Sequence, residues 1–521
     1  MIRRLVTRAS AVAAVGACTL GACAVGPSTR VATAVTPVVA DARAELPGGT
    51  RALLDSLAVV RSADHGVAAP GTVSGNAGSP HQLWQTTRVA VDDARTGVHG
   101  GVRSAARDLD WLTVLRDPQL VALVSEAIAN NPDVRVAHAR VREYRAALGV
   151  ARSDFLPQLT ASAARSSNAT PFAGIPLQYN ATQVVGDVSW QLDFWGRVRR
   201  GAEAARFDVG ASEEDVRATT LTLVGDVATA YLQLREADEE IAIADTTVAS
   251  RRTTLEIARA RYRQGVTSEL DVRTFEAELA DPATLVATIG LERVQQENRL
   301  AQLLGHGPAP ISRGRPLDEA VAAVRVPDSI PGALLEGRPD VRASVQAVRA
   351  SLARIGQVTA SRLPIVTLSG DYGTQQPGYT NLFRGNGRVY AVQAGISVPL
   401  FRGGSLEAQE REAQARADET RAQYEQTVLT AQREASTALA GVRLGRDQLV
   451  AQATQVLALQ QAFAIAQARY RGGIGTYLDV LTAQRSLFGA QITLVQDKRQ
   501  YLVSTVNLYL ALGGGWDVTT R

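Results

Sequence analysis

The chain has 521 residues, 55 basic and 51 acidic, for a formal net charge of +4. The length allows several domains. Three of the arginines stand at the very start, so beyond residue 22 the balance is 52 basic to 51 acidic. No basic patch calls for a nucleic-acid partner.

Arg3, Arg4 and Arg8 precede a short apolar stretch from Ala9 to Ala17, and Leu20-Gly21-Ala22-Cys23 follows. A basic start, an apolar run and small residues before the cut define an export signal over 1–22. Leu-Gly-Ala-Cys is a lipobox, which makes Cys23 the expected lipid anchor and the only mature cysteine, in keeping with an oxidising compartment. Residues 23–105, rich in Pro, Gly, Ser, Thr and Ala, read as a tether with one short helix near Leu53-Leu54. No later run of about 18 apolar residues is evident, so a membrane would have to be crossed by β-strands.

From about residue 106 the chain says the same thing twice. Asn131-Pro132-Asp133-Val134-Arg135 returns as Arg338-Pro339-Asp340-Val341-Arg342, and Ala260-Arg261-Tyr262-Arg263 returns as Ala468-Arg469-Tyr470-Arg471. The shifts are 207 and 208 positions, far beyond a solenoid unit. A duplicated half-protein follows, divided as 106–315 and 316–521.

In the first copy Asp117-Pro118 predicts a helix over Leu120, Leu123, Val124 and Ile128. Asn131-Pro132 predicts another, with Asn as N-cap, Pro in the first turn and Asp133 at the positive end; Pro157 closes it. The period then changes to two. Leu159, Ala161 and Ala163 alternate with polar residues, and a polar loop is predicted from Ser166 to Gln178. Val184, Gly186, Val188, Trp190, Leu192 and Phe194 then face one way, with Gln183, Asp187, Ser189, Gln191 and Asp193 opposite and Val185 as the exception. Trp190, Phe194 and Trp195 gather at one end, as in the aromatic girdle of a membrane barrel. The second copy repeats the hairpin over Val366–Tyr372 and Tyr390–Val398. Four strands cannot close a barrel, which needs about eight, so several chains would pool them; three would give twelve.

Each hairpin feeds a helical stretch near 65 residues, from Arg197 to Gly265 in the first copy, or about 100 Å at 1.5 Å per residue. Return helices are predicted from Glu269 to about Leu304 and from Tyr477 to about Leu512, the first kinked or broken at Asp281-Pro282. Apolar stripes on two faces give these helices neighbours on both sides.

Val25-Gly26-Pro27 after the lipobox, Asp117-Pro118-Gln119-Leu120, Asn131-Pro132-Asp133, Arg261-Tyr262 with Gly265, Leu270-Asp271-Val272 and Leu512-Gly513-Gly514-Gly515-Trp516 together resemble the TolC-like outer-membrane efflux factors, in their NodT-like lipoprotein branch. The resemblance implies an α+β membrane protein working as a homotrimer. Its twelve pooled strands would form a barrel in the outer-membrane lipid and twelve helices a periplasmic tunnel. The tunnel would dock with a periplasmic adaptor (a membrane fusion protein) and an inner-membrane RND-type pump, as the exit duct of a tripartite system. It also implies roles at the two helix–helix turns: Gly265, Val266, Gly473 and Ile474 for adaptor docking, Asp271 and Asp479 for the periplasmic gate. Another family gate carboxylate is Thr482 here. Arg261, Arg263, Arg469 and Arg471 are the cations available to balance a gate.

The residues alone give those turns a structural reading as well. Ser268-x-x-Asp271 and Thr476-x-x-Asp479 are capping boxes, and Gly265 and Gly473 suit helix C-termini. Five scattered histidines and the lack of a zinc pair, nucleophile elbow or phosphate loop point to no catalytic residue, no metal and no cofactor. A type I secretion duct, a metal-efflux duct and a lipid-anchored periplasmic coiled-coil scaffold remain the alternatives to a drug or small-molecule duct.

Overall fold

The computed structural model describes residues 115–172, 175–324, 332–378, 382 and 387–514. The export signal, Cys23, the 23–105 segment with its short helix, and Trp516 lie outside the described residues.

Asp117 accepts from the backbone N–H of Gln119 and Leu120 and opens α1 (Pro118–Asn130). Asn131 does the same for Asp133 and Val134 at the head of α2 (Pro132–Ser153), while its amide donates to the Leu303 carbonyl. Strands β1 (Gln158–Phe172) and β2 (Ile175–Leu192) follow. Then come α3 (Arg197–Arg263), α4 (Glu269–Leu303) and the short α5 (Leu317–Ala323). The second copy supplies α6 (Pro339–Ala360), β3 (Ile365–Gln376), β4 (Arg388–Ser397), α7 (Ser405–Arg471) and α8 (Tyr477–Ala511). The repeat shows in the lengths: α3 and α7 have 67 residues each, α4 and α8 have 35.

Two expectations need correcting. Much of the stretch read as a polar loop, Ser166 to Gln178, is strand: β1 runs to Phe172 and β2 starts at Ile175, paired throughout by backbone bonds that need no apolar side chain. Pro282 does not break α4, which runs unbroken from Glu269 to Leu303 with the Arg251 side chain donating to the Glu278 carbonyl that the proline leaves without a helical donor. One 18-residue stretch of α7 is long and apolar enough, by length and composition alone, to cross a membrane, without being an unbroken apolar run. Only 17% of it is buried within the chain.

The described residues fall into two compact units, and each draws on both copies. One takes His138–Glu214 and Arg342–Thr427 and holds the sheet, antiparallel in the order β1-β2-β3-β4. Its register puts all four alternations on one face. Leu159 pairs with Val188, Val188 with Gly370, and Gly370 with Val392; Trp190 pairs with Leu368, and Leu368 with Ala394. The other face carries Thr160, Asp187, Asp371 and Gln393, with Asp187 directly opposite Asp371. The expected exception, Val185, sits on this polar face and is buried against Gly373, where a side chain would collide with it. Trp190 and Trp195 tie down one end of the sheet by donating to the carbonyls of Phe155 and Pro364.

The second unit takes Asp215–Val341 with the described residues before His138 and after Thr427. Its core joins Leu120, Val124, Val224, Tyr231, Leu234, Leu300, Leu317 and Leu502 from five helices. A smaller cluster of Leu255, Ala258, Val272 and Phe275 lies toward the α3–α4 turn.

Candidate functional site

The two helix–helix turns are built alike. The Gly265 N–H donates to the Tyr262 carbonyl and the Val266 N–H to Arg261; Gly473 and Ile474 do the same to Tyr470 and Arg469. That pair of bonds is the Schellman arrangement, and it demands a left-handed residue, met by Gly265 (φ 72°) and Gly473 (φ 79°). The residue after each glycine is thrown outward: Val266 is 69% exposed and Ile474 76%. Within two further residues a capping box starts the next helix. The Asp271 N–H donates to Ser268 Oγ and the Ser268 N–H returns to Asp271 Oδ2, both at 3.2 Å; Thr476 and Asp479 repeat this at 3.2 and 3.1 Å.

Those bonds set the electrostatics. The Thr267 hydroxyl, 2.5 Å from Asp271 Oδ2, is the main reason this carboxyl stays below its ordinary range. The Thr476 hydroxyl and backbone do the same for Asp479. Both acids are therefore anionic at neutral pH beside the turns, Asp271 half-buried and Asp479 exposed. The turns are also joined: the Arg261 guanidinium lies 4.4 Å from the Tyr470 ring centre and donates to the Tyr470 carbonyl, and Phe275 meets Tyr477 at 4.1 Å. Burial pushes the Tyr477 phenol up to about 12, so it stays neutral. Of the four arginines read as balancing cations, Arg261 is thus committed to Tyr470, and Arg469 contributes positive charge near Asp479.

Sequence reasoning missed Leu270 and Leu478, which are 74% and 64% exposed beside Val266 and Ile474. They stand one residue before each capping aspartate, and that position was the available signal. The turns thus present four exposed apolar side chains on two rigid, glycine-dependent bends, each flanked by an anchored carboxylate.

The profile of a family described as outer membrane efflux protein matches residues 123–306 and 330–514. The chain belongs to that family. It is similar to the toluene efflux pump outer membrane protein TtgC of Pseudomonas putida, at 34% identity over 79% of this chain and 86% of the relative. Among solved structures, the outer-membrane channel OprN superposes with a TM-score of 0.74 at 31% identity, covering 78% of this chain and 92% of that one. CusC, solved in a study of transmembrane channel formation, gives 0.73 at 30%, covering 78% and 94%. As an outer membrane efflux protein, the chain is an exit channel of the outer membrane. Its two hairpins are strands for a β-barrel and its long helices are tunnel walls. Among the described residues no group of three or more His, Cys, Asp or Glu is placed to hold a metal.

Proposed function

We propose that three copies of this chain close one conduit, and that the conduit is the passive exit of a tripartite efflux system for drugs or other small molecules. The sheet carries this reading. Among the described residues it has four strands, with β1 and β4 as open edges, and a continuous apolar face that none of those residues covers; Val392 on that face is 81% exposed. An open edge and an uncovered apolar face are satisfied together when copies join edge to edge and turn that face to lipid. Three copies give twelve strands, the number the resemblance implies.

In this reading Gly265, Val266, Gly473 and Ile474 dock a periplasmic adaptor that links the duct to an inner-membrane RND-type pump. Their rigid bends and exposed apolar side chains support it. Asp271 and Asp479, brought near the axis by three copies, form the periplasmic gate. Cys23 carries the lipid anchor. The duct performs no chemistry, and the pump selects the cargo. Relatives named as toluene and antibiotic efflux pump outer membrane proteins support small organic molecules as that cargo.

Native mass spectrometry of protein extracted from outer membranes tests the assembly. A three-chain species that persists in detergent is expected, with the mass of each chain raised by the acyl groups on Cys23. A monomer as the dominant species, under conditions where the protein is folded by circular dichroism, would overturn the shared barrel.

A further inference from the structure

Proline at position 282 has no N–H, so the Glu278 carbonyl four residues earlier loses its helical donor, and the proline ring presses on that same carbonyl. Both residues are buried, and a buried carbonyl without a donor is rare in folded proteins. Yet α4 stays helical through this point. Arg251, from α3, is only 2% exposed and fills the gap. Its Nη1 donates to the Glu278 backbone carbonyl and lies 3.3 Å from the Glu278 carboxylate and 3.6 Å from that of Asp281. Among the described residues its Nε and Nη2 have no hydrogen-bond partner, and the guanidinium's hydrogen bonding there goes to that one residue. The Phe488 ring, 5.8 Å from its centre, covers the cation from α8.

The Glu278 carboxylate, neutralised by Arg251, accepts in turn from Arg485 of α8, with Nε at 2.9 Å and Nη2 on the other oxygen. One buried arginine therefore repairs the proline defect and fixes the acid that holds the second copy's return helix. Three helices meet at this point. It lies ten residues past Ser268 on α4 and nine past Thr476 on α8, about 14–15 Å along each helix.

We infer that Arg251 and Pro282 are a matched pair, and that Arg251 is a positioning residue which, through Glu278 and Arg485, sets how firmly α8 is held to the first hairpin above the turns. An arginine buried this deeply is costly unless it is paired. The same bonds explain why Asp281-Pro282, a break signal in any isolated helix, is accommodated here.

The test is a double-mutant cycle on the full-length protein in detergent, read by thermal unfolding and by single-channel conductance. Pro282→Ala restores the missing N–H. Arg251→Met should lower the Tm in the native background, and by roughly half as much or less when combined with Pro282→Ala, because the carbonyl then has its own donor. Equal Tm losses in both backgrounds would overturn the pairing. Arg251→Met should also change conductance in the same sense and size as Arg485→Met, with no further change in the double variant. Wild-type conductance from Arg251→Met beside an altered Arg485→Met would overturn the positioning role. Should Arg251→Met leave no folded protein, Arg251→Lys, which keeps the charge and one donor, decides by the same comparison with and without Pro282→Ala. Failure of the duct reading itself is distinguishable, since it would leave every protein, wild type included, without current.

Discussion

Tyr231 joins three segments through one oxygen. Its hydroxyl donates to Asp117 Oδ2 at 2.7 Å and accepts from the Gly314 N–H at 2.9 Å, while the other Asp117 oxygen caps α1. Tyr231→Phe strips one oxygen of a buried carboxylate and a half-buried N–H of their partner at once and should cost about 1–3 kcal/mol, read as a lower denaturation midpoint. Glu236 behaves differently. Burial pushes its carboxyl from 4.5 to about 7, against the opposing pull of Arg499, whose Nε sits 3.0 Å away. Glu240 on α3 and Glu292 on α4 add to the rise. The geometry alone would read as an ion pair, yet desolvation outweighs it. Because the folded state holds this proton more tightly than the unfolded chain, stability falls as pH rises from 4.5 to about 7 and stays reduced above that. Glu236→Gln should therefore stabilise at pH 8, by about 1–2 kcal/mol after allowance for solvent screening, and have little effect near pH 4. A stabilisation equal at both pH values would show that the effect is not titration of Glu236.

At the scale of the element, the helix ends were written most clearly. Asp117-Pro118, Asn131-Pro132, Ser268-x-x-Asp271 and Thr476-x-x-Asp479 are local signals whose bonds close within four residues, so the sequence alone suffices to place them. The strands with apolar alternation were legible for a similar reason. The far part of the first hairpin, from Ser166, was not: Ser, Asn and Thr there carry no period, and the strand persists because the partner backbone does. Pro282 misled because its compensation comes from Arg251, 31 positions earlier on another helix, a contact no local pattern records. At the turns the sequence placed both capping aspartates but not Leu270 and Leu478, whose exposure depends on how the bends aim them. The two faces of β4 give a test at this scale. Val392 lies on the apolar face and its neighbour Gln393 on the polar one. Val392→Arg should destabilise the inserted protein by about 2–4 kcal/mol, whereas Gln393→Arg should be tolerated. Recovery of folded protein from outer membranes distinguishes them, and equal recovery would contradict the lipid-facing assignment.

For the whole molecule, the polar face of the sheet becomes the wall of the conduit. Asp187 and Asp371 stand opposite one another there, with the Ser162 hydroxyl 3.3 Å from Asp187. Like charges directly across a strand pair weaken a sheet, so this pairing works against stability and in favour of a negative lumen. Asp187→Asn with Asp371→Asn should lower the preference for cations over anions, measured as a shift of the reversal potential in a salt gradient; an unchanged potential would place the selectivity elsewhere. The central claim is that the chain conducts. Single-channel recording in planar bilayers tests it most directly, comparing the wild type with the Asp271→Asn/Asp479→Asn double variant, which keeps a capping acceptor at each position but removes the charge. The expected result is discrete steps from the wild type, larger and longer-lived in the variant as the ring of carboxylates relaxes. Equal steps from both would keep the channel and remove the gate from these residues. No current from either, in bilayers where protease protection shows the protein inserted, would contradict the account.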